Sequence, residues 1–331
     1  MSAAPFLVVH NLVRHFGSVR AVDGVSFQIA PGQVVGLIGA NGAGKTTMMR
    51  MLATLDPPDG GTIHLDGINA VAHPAKIRRR LGWMPDFVGA SRDMSVGDYL
   101  DFYARAHGFH GRELIRRIAD VVQFGELGPL LDRPAGALSK GQMQRLSVAR
   151  TLLNEPDFLI LDEPAAGLDP KARIEFKNVI RLLRGRGKTM LISSHILSEL
   201  GEMCDSLLFM DAGRMMHHGD TDSLRQRDAV AAGAFAINIR VHGDPAALLE
   251  WLSVRAGWRL VESRRDGARA AFAGSDPLVL AGELRRLTAD GICVTDFHRE
   301  ERRLEEAFVE MLREPAPVRP QRGVAAAEDR S

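Results

Sequence analysis

Residues 39–46, Gly39-Ala40-Asn41-Gly42-Ala43-Gly44-Lys45-Thr46, have the form G-x-x-x-x-G-K-[ST]. That combination is suited to holding phosphate. Glycines let successive backbone N–H groups turn inward around phosphate oxygens. A helix starting at the end of the loop aims its positive N-terminus at the same place. Lys45 then supplies a cation for the β- and γ-phosphates, and the Thr46 hydroxyl a ligand for Mg2+. A second group follows the apolar run Phe158-Leu159-Ile160-Leu161, where Asp162 and Glu163 emerge ahead of Pro164. Ligands gather at the carboxyl ends of buried parallel strands. There Asp162 would hold Mg2+ through water, and Glu163 would polarise an attacking water as general base. An apolar strand ending in Asp-Glu is common; its pairing with the phosphate loop gives it weight.

These side chains need elements to hold them. The segment 5–30 reads as short strands with a turn near Gly17, and Pro31-Gly32 punctuates it. Val34-Val35-Gly36-Leu37-Ile38 is a continuous apolar strand running straight into the phosphate loop, and 46–55 reads as the helix after it. Pro57-Pro58-Asp59-Gly60-Gly61 stops that helix. Helical spacing returns over 95–107, where Ser95 and Asp98 form a capping box, and again over 112–122. Apolar strands at 158–161 and 190–192 flank a helix over 172–183. Strand, helix, strand at this spacing predicts a buried parallel sheet.

Beyond about residue 222 the texture changes. Strands are expected at 235–241, 258–263, 268–273 and 292–297, with helices at 245–256, 278–289 and 304–312. Up to the last strand the order is βαββαβ, that of a small α+β, ferredoxin-like domain. The Pro-, Ala- and Arg-rich stretch 314–331 is expected to be disordered.

At 331 residues two domains are expected. Lys plus Arg (42) nearly cancel Asp plus Glu (41), and the net charge of +1 gives no electrostatic case for nucleic acid. Cys204 and Cys293 match no metal or redox spacing and are expected to be two reduced core thiols in the cytosol. The N-terminus lacks the charged-then-apolar pattern of a signal peptide. No apolar run approaches the roughly 20 residues that span a bilayer. A membrane role would need another protein to supply the spans.

Leu138-Ser139-Lys140-Gly141-Gln142, followed by Met143-Gln144-Arg145-Leu146, resembles the signature motif of ATP-binding-cassette (ABC) ATPases, with Lys140 where that family usually has Gly. Glu163-Pro164-Ala165-Ala166-Gly167-Leu168-Asp169-Pro170 resembles its D-loop, and Ser193-Ser194-His195 its switch histidine. With the phosphate loop and the Asp162 strand, these motifs stand in the family's order across residues 6–220. The resemblance implies a P-loop NTPase cassette: a RecA-like parallel-sheet core, an antiparallel β subdomain and a helical subdomain at about 87–155. The cassette would occupy 5–222 and the accessory domain 233–313.

The resemblance also implies a mechanism. Two cassettes, identical or paired, would dimerise head to tail and sandwich two ATP molecules with Mg2+. Gly39, Asn41, Gly42, Ala43, Gly44, Lys45, Thr46 and Thr47 would bind ATP, with Phe16 stacked under adenine; a core phenylalanine is the alternative. Thr46, Asp162 and Asp86 would serve Mg2+, and Asp169 the D-loop. Ser139, Lys140, Gly141 and Gln142 would act in trans on the nucleotide held by the other subunit. Ser139 and the amides after it precede a helix and so form a second helix-N-terminal anion site. Glu163 and His195 would be catalytic; a lone histidine after a strand is otherwise more often structural. Asp86 stands where the family usually has a Gln that touches Mg2+ and senses a membrane partner. A carboxylate can still ligate Mg2+ while adding charge near the phosphates, and it is expected to keep the coupling role. The block 86–100 resembles the wall where a separate permease docks, through Phe87 and Met94, with ordinary packing the alternative.

Residues 303–312, Arg303-Leu304-Glu305-Glu306-Ala307-Phe308-Val309-Glu310-Met311-Leu312, resemble the segment ending ABC-2 exporter cassettes, the daunorubicin-resistance ATPases among them. The domain before them carries no visible catalytic constellation and reads as a dimer clasp or regulatory contact. The expected function is ATP hydrolysis powering an exporter, peripheral on the cytoplasmic face of the membrane. A soluble ABC ATPase on ribosomes or DNA would instead show two cassettes with a basic linker, or a long coiled-coil insertion. A non-catalytic cassette would lack Glu163 or His195.

Overall fold

The computed structural model describes residues 4–86, 93–220, 234–274 and 276–299. Phe87, the expected helix over 304–312 and the stretch 314–331 lie outside them.

The chain opens with an antiparallel hairpin, β1 (Leu7–Phe16) and β2 (Val19–Ile29), turned at Gly17, whose φ is 59°. β4 (Gly60–Leu65) pairs with β1, and β5 (Ile68–Asn69) closes the sheet in the order β2-β1-β4-β5. Between hairpin and β4 come β3 (Val34–Ile38) and helix α1 (Lys45–Leu52). The helix stops three residues before its expected end, and Thr54 takes a left-handed φ of 58°.

β3 sits inside a six-stranded sheet with β6 (Leu81–Met84), β7 (Phe158–Leu161), β8 (Thr189–Ser194), β9 (Ser206–Asp211) and β10 (Arg214–Asp220). Its order is β10-β9-β3-β8-β7-β6, parallel except for the β9–β10 hairpin. The strands are apolar without a break because both faces are covered. Along β3, Val34 and Ile38 enter one core while Val35 and Leu37 enter the other; along β7, Leu159 and Leu161 alternate likewise with Phe158 and Ile160. That is the two-residue period of a strand serving two layers. One layer is α1 with the hairpin sheet. The other contains α3 (Val96–Ala106), α4 (Gly111–Phe124), α5 (Lys140–Leu152), α6 (Pro170–Gly185) and α7 (Leu197–Met203). Between β6 and β7 the described residues form no strand, as the helical block predicts. A short helix, α2 (Pro74–Arg78), precedes β6.

A third sheet has its own core. β11 (Ala234–Val241), β12 (Trp258–Arg264), β13 (Gly267–Ala273) and β14 (Val294–Arg299) align as β12-β13-β11-β14, all antiparallel. With α8 (Ala246–Val254) and α9 (Pro277–Ala289) interleaved, the connectivity is the expected βαββαβ. Ile237, Ile239, Leu248, Trp251, Trp258 and Phe272 fill the core. The Trp258 indole N–H donates to Glu283, an otherwise costly buried carboxylate, at 3.0 Å. No helix among the described residues is long and apolar enough to cross a membrane.

Candidate nucleotide site

The loop after β3 folds back under steric constraint. Gly44 caps α1 with a φ of 99°, and a Cβ there would overlap the Ala21 carbonyl oxygen. A Cβ on Gly39 would overlap the carbonyl oxygen of Met210 on β9. Asn41 and Gly42 are exposed at the tip, Ala43 is buried, and Thr47 is half-buried on the first turn of α1.

Lys45 is only 7% exposed, and its ammonium donates to the carbonyls of Gly39 (2.7 Å) and Ala40 (3.2 Å). It also lies 3.9 Å from Glu163 Oε1. The loop therefore holds its own lysine inward. The Thr46 hydroxyl donates to Asp162 Oδ2 at 2.8 Å, tying the start of α1 to the end of β7 two strands away.

The ends of β7 and β8 are joined as closely. Asp162 is buried, and its other oxygen accepts from the Ser193 hydroxyl at 2.6 Å. That hydroxyl accepts the Glu163 backbone N–H at 2.7 Å. The Glu163 carboxylate reaches His195 Nδ1 at 2.8 Å. Glu163 itself sits at φ 47°, a left-handed conformation that a non-glycine residue adopts at a cost. Burial pushes the Asp86 carboxyl above its ordinary value, with the charges of Asp162 and Glu163 adding to the rise and His195 opposing it. Asp86 thus senses the same carboxylate cluster.

Phe16 is 50% exposed, which removes the core alternative. The Arg14 guanidinium lies 4.9 Å from its ring centroid, while Arg14 pairs with Asp59 at 2.7 Å. The ring stands at the end of β1, half exposed beside that guanidinium.

Ser139 to Gln142 occupy a different place. Ser139 caps α5 in a reciprocal box: its hydroxyl accepts from Gln142 N (3.2 Å), and Gln142 Oε1 accepts from Ser139 N (3.0 Å). Asp169 caps α6, accepting from Ala172 N at 2.8 Å. The two helix starts meet closely, since a Cβ on Gly141 would stand 3.2 Å from that of Ala172. Between them lies a recess of about 390 Å³, lined by Ser139, Lys140, Arg145, Asp169 and Lys171 among others. No residue of the phosphate loop lines it. The structure thus brings together Lys45, Thr46, Asp162, Glu163, His195 and Asp86, and sets Ser139–Gln142 with Asp169 apart.

Sequence reasoning assigned no role to Ser193, a hydroxyl two residues before the histidine at a strand end. It also overlooked Arg150, which donates to the Trp83 carbonyl (3.2 Å) and the Tyr99 hydroxyl (3.3 Å).

The profile of the ABC transporter family matches residues 22–166. The Nod factor export ATP-binding protein I of Ralstonia nicotianae is 34% identical over 288 residues, covering 87% of this chain and 87% of that protein. The ABC transporter ATP-binding protein NatA of Bacillus subtilis is 36% identical over 211 residues, 63% of this chain and 86% of its own length. A solved ATP-binding subunit of an ABC transporter superposes with a TM-score of 0.61 at 28% identity, covering 68% of this chain and 94% of that one. A glycine loop closed on its own lysine, two carboxylates beside it and these relatives agree: the chain belongs to the ATP-binding subunits of ABC transporters, a family of ATPases that hydrolyse ATP to power transport.

Proposed function

We propose that this subunit works as one half of a head-to-tail ATP sandwich and drives a separate membrane permease. One observation carries the reading: the phosphate loop and the Ser139–Gln142 recess are two anion-directed surfaces on one chain that share no lining residue. Each is completed by the other surface of a second cassette. Residues 5–222 form the cassette and 233–313 an accessory domain that serves as clasp or regulatory contact.

In the sandwich, Lys45 leaves the Gly39 and Ala40 carbonyls for the β- and γ-phosphates, and the loop amides surround them. Phe16 stacks under adenine. Ser139 and the amides behind it approach the γ-phosphate of the opposite site, with Lys140 adding a cation and Asp169 placing the D-loop. Glu163 orients the attacking water and takes up its proton; His195 holds Glu163 and reaches the γ-phosphate.

The donors also suit Mg2+. Thr46 Oγ1 and Asp162 are hard oxygen ligands already 2.8 Å apart, with the Asp86 carboxylate beside them. Mg2+ is usually held by one or two carboxylates with waters and substrate phosphates completing its shell, a requirement these donors could meet. Bound there, Mg2+ would neutralise charge on the β- and γ-phosphate oxygens.

The permease docks along 86–100, with Asp86 carrying the signal between docking wall and nucleotide. Met94 is half-buried and packs on the helical core, as the ordinary-packing alternative expects, so the docking reading does not rest on it. Export is the direction in the name of the Ralstonia relative, and the subunit sits on the cytoplasmic face through its permease. The test is the Glu163→Gln protein with ATP. We expect a stable dimer by light scattering and slow phosphate release; a monomer with unchanged turnover at every dilution overturns the sandwich.

A further inference from the structure

Ser193 is fully buried at the end of β8, yet its hydroxyl is used twice. It donates to Asp162 Oδ1 at 2.6 Å and accepts the Glu163 backbone N–H at 2.7 Å. The two residues it joins are consecutive, and they point different ways. Asp162 turns toward Thr46, and Glu163 toward Lys45 and His195. Opposite directions are ordinary for neighbours on an extended chain, but Glu163 also leaves the extended region, with φ 47°, where L residues are rarely found. The peptide N–H of this bent residue has its hydrogen bond to Ser193. Strand register fixes that oxygen in turn: Ser193 lies opposite Leu37 of β3, one residue before the pair Ile38 and Ser194 where the phosphate loop departs.

We infer that Ser193 is a positioning residue for ATP hydrolysis: its hydroxyl holds the Glu163 backbone in the bent conformation and fixes Asp162 at the same time. It touches no substrate and acts through Glu163. The inference rests on reading Glu163 as the general base. Alanine at 193 would leave a buried N–H and a buried carboxylate oxygen each short of a partner. Glu163 would relax toward an ordinary backbone angle and carry its carboxylate off line. Nucleotide binding in the absence of Mg2+, which depends on the loop amides and Lys45, would be spared.

The test compares Ser193→Ala, Ser193→Thr and a control, Ser206→Ala, each with and without Glu163→Gln. Ser206 is also buried, and its hydroxyl accepts from Gln33 at the opposite end of the sheet. Readouts are kcat and KM for ATP, equilibrium affinity for a fluorescent ATP analogue without Mg2+, and thermal melting. For Ser193→Ala we expect kcat to fall by about tenfold or more, within the roughly 10²–10⁴-fold that a general base contributes. Nucleotide affinity should stay within about twofold, a change well under the 1.4 kcal/mol of a tenfold effect. Ser193→Thr, which keeps the hydroxyl, should recover most of the rate, and Ser206→Ala should keep it. With Glu163→Gln already present, Ser193→Ala should cost nothing further. A loss in affinity with kcat intact overturns the inference, as does an equal fractional loss in the Glu163→Gln background. If Ser193→Ala does not fold, Ser193→Thr decides: near-normal melting with kcat as low as that of Glu163→Gln contradicts the role of the hydroxyl. Wild-type turnover in Glu163→Gln alone instead removes the general-base reading, a failure visible without any Ser193 variant.

Discussion

His195 Nδ1 stands 2.8 Å from Glu163 Oε2, joining the ends of two parallel strands through the side chains that follow them. With the carboxylate ionised it can only accept, so Nδ1 carries the hydrogen and Nε2 is turned to the remaining side of the ring. That hydrogen bond holds one oxygen of the Glu163 carboxylate against the ring.

Removing that partner should slow the chemical step. His195→Ala is expected to lower the single-turnover rate of ATP hydrolysis by roughly 10- to 100-fold, the scale of one charge-assisted hydrogen bond of about 1.5–3 kcal/mol. Affinity for ATP should change far less, because Lys45 and the loop amides remain. Rapid-quench hydrolysis beside equilibrium binding separates the two, and a wild-type rate would show the histidine to be structural.

The phosphate loop is tested through its backbone. Gly44→Ala must place a Cβ against the Ala21 carbonyl at a φ of 99°. The left-handed conformation alone costs about 1–3 kcal/mol, and the overlap adds to it. Urea unfolding should show at least that loss, with nucleotide binding abolished. By contrast, Gly42→Ala meets no atom within 4 Å and carries only the conformational cost of φ 82°. Equal losses for the two would mean that close approach to Ala21 does not matter.

Much of this was legible in sequence because it is periodic or local. A continuous apolar strand, a glycine loop and a helix are consecutive, so Lys45 and Thr46 could be placed without knowing anything distant. Asp162 and Glu163 were readable for the same reason, and β11 to β14 announced themselves by regular spacing. Contacts across the sheet were not readable. Ser193 meets Asp162 across 31 positions, and nothing at either position marks the pair. β4 hid behind its own turn signal: it begins Gly60-Gly61, which reads as a loop. Gly61 is needed there because a side chain would strike the backbone of Asn11 on β1. Lys45 was read as a phosphate ligand, but its hold on the Gly39 and Ala40 carbonyls depends on how the loop closes.

Asp86 is the position where coupling should be altered. Its carboxyl lies within the field of Asp162 and Glu163, just past the end of β6. Asp86→Ala is expected to lower transport more than ATP hydrolysis in the complex with the permease, and Asp86→Gln to retain more of both. Paired ATPase and transport assays in vesicles measure this. If both variants match wild type, Asp86 has no part in coupling.

Among the described residues a polar bridge through Arg150 joins α3 to β6, and it predicts a pH signature. Tyr99 on α3 is 2% exposed, and its hydroxyl accepts from Arg150, which also holds the Trp83 carbonyl on β6. Burial raises the phenol from 10.0 to about 12, with Arg150 opposing and Tyr103 reinforcing the rise. A raised folded value means that the unfolded chain ionises first as pH increases. The stability contributed by the neutral phenol is therefore complete below pH 10 and is lost as pH climbs through about 12. Tyr99→Phe removes the titration together with the hydrogen bond. At pH 7 the variant should be less stable by about 0.5–1.5 kcal/mol, the worth of one such bond. Above pH 10 its stability should fall less steeply than that of wild type, so the two curves converge. Urea unfolding from pH 7 to 11.5 measures both, and curves that stay parallel across the alkaline range would place the Tyr99 hydroxyl in water.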